Sequence, residues 1–502
     1  MKPTLSRKQH IKWFILVFSV KLIQFLFFAY QFAQNYPANQ TTNRFFIIDG
    51  ETTSYYAPIE NMADGKGYSF KEEIPGSKDF FYFPSTRRVP GIAAIYYPLL
   101  KFSNQETARV AIIIIQFITG TISVYLLGLI AFYLFQSYLI YGIVLLLYSL
   151  SSFVSIFDHY GISESFSISF LVIGVYFSLK AIDEKSIWNY WWAGFFLCWS
   201  TFIRPALGVS FPAIGLIFLV HFGKQKQIFN VTFLKAIFLF GLPLVLSLSF
   251  WTARNYKVSG KIIPLEDNVH ETQMFAYDAR LLSIWDLIGA WGGQITRWSP
   301  NSMGEYFLSR QYIPHQDAFS ERMLSSQCTF DSIKSLQENY IKSHDRSLPF
   351  EQRLVLAHRV VEQAYRFRKS FKEEKPFQYY FVSPLAMTGK FLYFKTVSYL
   401  PFPELSKMKG YHKAIKIAYI LFFNVILVCA AAGAILVLRK GNTASKLLLC
   451  FPFFYTFVMI VIFIASEQRY VAPIYPFFVV YAGALIGKIL PEKVLSKLNL
   501  SE

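Results

Sequence analysis

Asp49 and Glu51 stand one residue apart at the start of a polar stretch, 49–98, that follows the first apolar segment. Tyr55 and Tyr56 come next, then glycines at 65 and 67, then Arg87 and Arg88 ahead of Pro90 and Gly91. A carboxylate can take the proton of an attacking hydroxyl as a general base. An arginine presents a planar, permanently charged fork that matches phosphate oxygens. A loop that only joins two helices has no need of acids, paired arginines and ordered aromatics together.

Further polar groups sit at the ends of apolar segments. DHYGISE carries Asp158, His159 and Glu164, FIRP carries Arg204, WTARNY carries Arg254 and Asn255, and SEQRYVAP carries Glu467, Arg469 and Tyr470. Charges there are costly unless they meet water, a partner or a ligand. Asp49 and Glu51 are therefore the candidate catalytic acids. Arg87, Arg88, Arg204, Arg254 and Arg469 are candidates for binding a phosphate and stabilising charge that develops on it as a leaving group. Tyr55, Tyr56, His159, Glu164, Asn255 and Tyr470 are the expected lining of the substrate cavity.

Each role has a plainer rival. Asp49 and Glu51 suit the free N–H groups of a helix start, and Glu164 complements a helix dipole. Arg87 and Arg88 suit snorkelling to lipid headgroups. Arg204, Arg254 and Arg469 suit pairing with acids between helices, and His159 suits a surface position. The D-G-E run is compatible with a divalent cation, but no third ligand lies nearby, so neither metal nor cofactor is expected.

The elements that must position these groups are apolar. Hydrophobic residues make up 54% of the 502, aromatics 19% and charged residues only 16%, with mean hydropathy +0.35. Soluble domains carry nearer a quarter charged residues, so the composition predicts an all-α polytopic membrane protein. The net charge of +18 is spread over loops and helix ends, which suits membrane orientation and phosphate ligands and excludes nucleic acid as the expected partner. Cys198, Cys328, Cys429 and Cys450 are far apart, without metal-site spacing.

Crossing hydrocarbon takes about 20 apolar residues. Ten spans are expected, at 11–33, 108–135, 138–157, 165–182, 188–203, 206–222, 231–251, 415–438, 447–465 and 470–489. The first is read as a retained anchor rather than a cleaved signal. Arg204 and Pro205 make the fifth and sixth short. Basic residues in alternate short loops put the N-terminus in the cytoplasm and the polar motifs outside. The organisation predicted is a catalytic module at 1–251, with juxtamembrane helices in its outer loop 34–107. A small helical extracytoplasmic region at 252–414 and a C-terminal membrane part with a cytoplasmic tail at 415–502 complete it. The segment 377–400 holds Lys390 and Lys395, each costing about 2.5–3.5 kcal/mol at mid-bilayer, so it is placed at the interface or as a re-entrant piece.

The order D-x-E, GKGYSF, RRVPG, ISES, FIRP, WTARNYKVSGKIIPL and QRYVAPIYPF resembles the GT-C membrane glycosyltransferases. It looks closest to the branch of protein O-mannosyltransferases and the lipid A aminoarabinose transferase. The resemblance runs over 49–477, the region from about 281 to 411 excepted, and WTARNYKVSGKIIPL and RRVPG are its more specific parts. It implies a polyprenyl-phosphate-sugar donor, an acid of the first outer loop as base, and basic residues on the donor phosphate. The family's acids are often adjacent, whereas Gly50 separates Asp49 from Glu51 here; the resemblance favours Asp49.

The function expected is inverting transfer of a sugar from that donor to a hydroxyl-bearing protein, lipid or glycan at the outer face of the plasma or inner membrane. One alternative is a flippase or transporter of a lipid-linked glycan, which predicts midplane charges and repeated halves; neither is evident in the sequence. The other is a ligase or polymerase using lipid-diphosphate donors. Asp49→Asn keeps shape but not basicity, so transfer should fall by about 10²–10⁴ while donor still binds, and Glu51→Gln should cost less. A transfer assay that ranks the two variants in reverse moves the base to Glu51.

Overall fold

A computed structural model describes residues 6–35, 41–42, 46–47, 50–73, 80–184, 186–228, 230–267, 279–293, 303–308, 319–393, 400–403, 405–464 and 467–490. Within these, the side chains of 41–42, 46–47, 50–51, 72–73, 80, 304–305, 308, 405 and 468 are not described. Asp49 thus lies outside the described residues, and Glu51 is described only as backbone of a helix.

Helices dominate. Helix α1 (Arg7–Asn35) leads through the short pair β1 (Thr41–Thr42) and β2 (Phe46–Ile47) to α2 (Gly50–Ala63), β3 (Ser69–Glu73), β4 (Phe80–Pro84) and α3 (Ala93–Phe102). The bundle continues with α4 (Gln105–Phe135), α5 (Tyr138–Leu150), α6 (Ser152–Ser155), α7 (Glu164–Glu184), α8 (Ile187–Ile203), α9 (Ser210–Lys224) and α10 (Val231–Ser259). Then come α11 (Ala279–Ala290), α12 (Met303–Leu308), α13 (Phe330–Lys342), α14 (Phe350–Glu374) and α15 (Ser383–Leu392). The chain ends in α16 (Gly410–Lys440), α17 (Thr443–Leu448), α18 (Cys450–Phe457) and α19 (Tyr475–Ile489).

All ten expected spans fall on helical structure, and seven of the described helices are long and apolar enough to cross a membrane. The span at 138–157 is instead a pair, Tyr138–Leu150 and Ser152–His159, bent by 46°. Helices α8 and α19 are shorter, with 17 and 15 residues. Proline explains the stop of α8. Arg204, ahead of Pro205, is extended at φ −141° and ψ 100°, as the proline ring requires.

The bend frees backbone groups inside an apolar bundle, where each must find a partner. Gln116 of α4 supplies it, donating to the carbonyls of Phe157, Asp158 and Tyr160 at 3.1–3.2 Å. Lys21, midway along α1, reaches the same turn. Its Nζ lies 2.7 Å from Asp158 Oδ2 and 2.8 Å from Ser155 Oγ, and both charged side chains are sealed from water. Ser165 donates to the other carboxylate oxygen at 2.6 Å. A buried ionic pair at mid-helix was not legible as such in the sequence.

The first polar stretch contains the expected helices α2 and α3 and, in addition, an antiparallel hairpin pairing Phe70 with Phe83 and Ser69 with Pro84. The aromatic run FFYF explains it, because aromatic side chains favour a pleated, half-buried surface. Helices α11 to α14 enclose a second apolar core, with Ile333, Leu336 and Tyr340 of α13 against Val360, Ala364 and Phe367 of α14. Their spacing of three, four and seven is the buried stripe of an amphipathic helix.

The helical part of 377–400 is short and ends at Leu392. Phe377, Phe381 and Leu385 are exposed at four-residue spacing, while Lys390 turns inward to the Gly292 carbonyl at 2.7 Å. That amphipathic face suits an interface, and Lys395 lies outside the described residues. Cysteines replacing the exposed Lys71 and Lys261 should label from one side of a sealed vesicle, and those replacing Lys226 and Lys440 from the other. Labelling of positions 261 and 440 from the same side would overturn this arrangement.

Candidate functional site

The Glu164 carboxylate begins α7 and is 1% exposed. Its Oε1 accepts from Arg204 Nη1 at 2.7 Å and lies 3.9 Å from Arg469 Nε. Arg469 also pairs with Glu467 at 2.8 Å. The two guanidinium groups share one aromatic ring. Arg204 lies 4.7 Å and Arg469 5.0 Å from the centre of Tyr470, whose hydroxyl accepts from Arg469 Nη2 at 3.2 Å. Two like charges this close require the carboxylates and the ring quadrupole together.

Ser163 extends the cluster towards the first polar stretch. It takes a hydrogen bond from Tyr55 at 3.1 Å and donates to Glu164 Oε2 at 3.3 Å. Arg88 lies 4.2 Å from the centre of the Tyr55 ring and donates from Nε and Nη2 to Ser54 Oγ at 3.2 and 3.1 Å. Arg88, Tyr55, Glu164, Arg204, Arg469 and Tyr470 are thus joined, from five separate stretches of chain.

The RRVPG motif explains how the arginine pair is held against Arg204. The Gly91 N–H donates to the Phe202 carbonyl at 2.7 Å, and Trp199 Nε1 donates to the Gly91 carbonyl at 2.9 Å. A Cβ on Gly91 would lie 2.3 Å from the Phe202 oxygen, so only glycine permits this approach. The loop carrying Arg87 and Arg88 is therefore riveted to the last turn of α8, two residues before Arg204.

Arg254 and Asn255 occupy a supporting position. Arg254 donates to the carbonyl oxygens of Ser85 and, at 2.9 Å, Tyr68, and to Asn255 Oδ1 at 2.9 Å. Asn255 is buried and donates to the Ile263 carbonyl at 2.9 Å. Both staple the end of α10 to the hairpin and to the segment that follows. Tyr56 packs edge-on to Tyr96 at 4.8 Å, and burial, followed by the charge of neighbouring groups, pushes its phenol well above the ordinary value. His159 is not at the surface: it is fully buried, stacked 4.3 Å from Phe25 with Phe28 and Phe32 around it.

Glu266 was not singled out from the sequence, although it directly follows the WTARNYKVSGKIIPL run. Burial raises its pKa, opposed by the charges of Arg88, Arg87 and Arg204. Its charge neighbours come from remote positions, so nothing local marks it. The geometry as a whole holds positive charge beside carboxylates at one end of an apolar bundle. Such an arrangement can bind a phosphate by charge-assisted, bidentate hydrogen bonds.

Removing one partner of a buried pair strands the other charge, at about 3–5 kcal/mol. Glu164→Ala should lose stability of that order in unfolding measurements on the purified protein, and Glu164→Gln less. A Glu164→Ala variant within 1 kcal/mol of the parent (roughly the value of an exposed pair) would show that Glu164 does not hold the two arginines.

No family model matches the chain, and no curated protein does. The structures that the fold comparison finds include two oligosaccharyltransferase structures from Archaeoglobus fulgidus. One is the archaeal oligosaccharyltransferase AglB in complex with an inhibitory peptide and a dolichol-phosphate, similar at a TM-score of 0.43 and 13% identity over 97% of this chain and 51% of that one. The other is an oligosaccharyltransferase tethered with an acceptor peptide containing the NVT sequon via a disulfide bond, similar at a TM-score of 0.42 and 8% identity over 99% of this chain and 50% of that one. The chain therefore spans about half the length of each of these two structures.

Proposed function

We propose that this chain is a GT-C-type membrane glycosyltransferase that moves a sugar from a polyprenyl-phosphate carrier to a hydroxyl-bearing acceptor on the extracytoplasmic side. The observation that carries the reading is the convergence of Arg88, Arg204 and Arg469 around Glu164 and Tyr55, at the ends of helices whose length suits a bilayer. A lipid phosphate is an anion held at that depth, and arginine forks suit its oxygens.

The acceptor oxygen bonds to the anomeric carbon as the bond from that carbon to the phosphate oxygen breaks, and the electron pair leaves with the phosphate. Asp49, with Glu51 beside it, takes the hydroxyl proton. Arg87, Arg88, Arg204 and Arg469 hold the phosphate and stabilise its growing charge. Glu164 acts as a positioning residue, keeping Arg204 and Arg469 together. Arg254 and Asn255 position the hairpin, while Tyr56 and His159 contribute packing. Displacement in one step inverts the anomeric configuration. The module at 1–251 carries most of this machinery, 252–414 covers it from outside, and 415–502 contributes Arg469.

One observation favours a transport reading. Lys21 and Asp158 place a charged pair midway along α1, where transporters often carry coupling groups. The pair is sealed and saturated by Ser155 and Ser165, which suits a structural clasp better.

The deciding experiment is a radiolabelled transfer assay with defined polyprenyl-phosphate sugars. Arg88→Ala should bind donor about 10- to 100-fold more weakly, the value of one or two charge-assisted hydrogen bonds. Arg88→Lys should recover only part of that, since a point charge lacks the fork. Unchanged donor affinity in a folded Arg88→Ala protein would remove it from the phosphate site, and a wild-type protein that moves intact lipid-linked glycan across a bilayer without transferring sugar would favour the transporter.

A further inference from the structure

Glu266 is fastened on both sides. Before it, the Ile263 carbonyl accepts from Asn255 at 2.9 Å and the Leu265 carbonyl accepts from Trp251 Nε1 at 2.6 Å. After it, the Asp267 N–H donates to the Thr86 carbonyl at 3.0 Å. The segment is thereby locked to the end of α10 and to the backbone immediately before Arg87 and Arg88. A glutamate held this firmly has a fixed place relative to the arginines.

One oxygen of its side chain nevertheless makes no hydrogen bond. Oε2 is shut off from solvent, and no donor among the described residues reaches it. Arg88, Arg87 and Arg204 act on it through their charge, yet none forms an ion pair with it. Buried polar atoms almost always find a partner, and one left without is expensive. The carboxylate therefore offers an unbonded acceptor oxygen on a segment pinned beside the loop of Arg87 and Arg88.

A sugar phosphate carries a partner for each of these groups. Its phosphate suits the arginines, and its ring hydroxyls are donors a short distance from the phosphate. We propose that Glu266 is a specificity-determining residue whose Oε2 accepts a hydrogen bond from a hydroxyl of the sugar while the arginines hold the phosphate. The proposal rests on the transferase reading above and adds to it the class of sugar: one with free ring hydroxyls. A sugar bearing a carboxylate at that place would meet Glu266 as a like charge and be disfavoured. Sites built to bond a hydroxyl discriminate strongly against analogues that lack it, because their own polar group is then left unpaired.

The test uses the full chain in lipid nanodiscs with two kinds of probe, bare undecaprenyl phosphate and a panel of undecaprenyl-phosphate hexoses, pentoses and their deoxy analogues. Wild-type protein should bind at least one glycosylated carrier more tightly than the bare one. Glu266→Ala should weaken that carrier by about 10- to 150-fold, the value of a hydrogen bond to a charged group. It should leave the bare carrier unchanged or tighter, since a negative charge beside the phosphate has gone. Glu266→Gln, which keeps a carbonyl acceptor, should recover part of the loss, and the deoxy analogue of the preferred sugar should bind Glu266→Ala at least as tightly as the wild type.

Equal weakening of both probes would overturn the proposal, because Glu266 would then only shape the arginine site. So would equal affinity of the wild type for bare and glycosylated carriers. Lost turnover at unchanged affinity for the glycosylated carrier would also overturn it, moving proton transfer to Glu266. Absence of transfer from every donor by wild-type protein would fault the transferase reading instead, and the binding comparison would still decide the role of Glu266.

Discussion

A charge buried in an apolar bundle must be neutralised where it stands, and Glu164 meets that constraint for two arginines at once. Arg204 follows α8, Arg469 precedes α19, and Glu164 starts α7. No two of these are neighbours in sequence, so the carboxylate acts as a knot tying three ends of the bundle. The pairing is costly to form, because desolvation of the ions competes with their attraction. Its return is geometric: two guanidinium groups are held over the faces of one tyrosine ring, where repulsion alone would part them.

Around this charged knot runs a shell of hydrogen bonds to the backbone. Gly91 and Trp199 fix the arginine loop to α8, Arg254 fixes the hairpin through its carbonyls, and Tyr68 donates to the Arg88 carbonyl at 3.1 Å. Arg254 illustrates the division of labour, since its charge is spent on backbone carbonyls and its value lies in where it puts Arg87 and Arg88.

The parts of this structure governed by local pattern were legible in the sequence. Apolar length located the helices, proline at 205 located a break, and charges at helix ends pointed to Glu164, Arg204 and Arg469 on one face of the bundle. What escaped depends on partners remote in sequence. Gln116 capping three carbonyls, Lys21 meeting Asp158, and the Glu266 segment bonded to the backbone before Arg87 have no local signature. His159 looked like a surface residue because polar neighbours flank it, whereas three phenylalanines from α1 enclose it. The hairpin escaped because its aromatic run suits strand and membrane interface equally well.

The clasp between Lys21 and Asp158 also bears on how the chain assembles. During synthesis α1 enters the bilayer well before residue 158 exists, and its lysine then sits in hydrocarbon at a cost of about 2.5–3.5 kcal/mol. The apolar length of α1 keeps it inserted through that interval. Its final seat is settled only when the bent pair delivers Asp158 and Ser155 to the ammonium. Docking of α1 thus waits for the chain as far as Asp158, and it completes the turn from which Glu164 emerges.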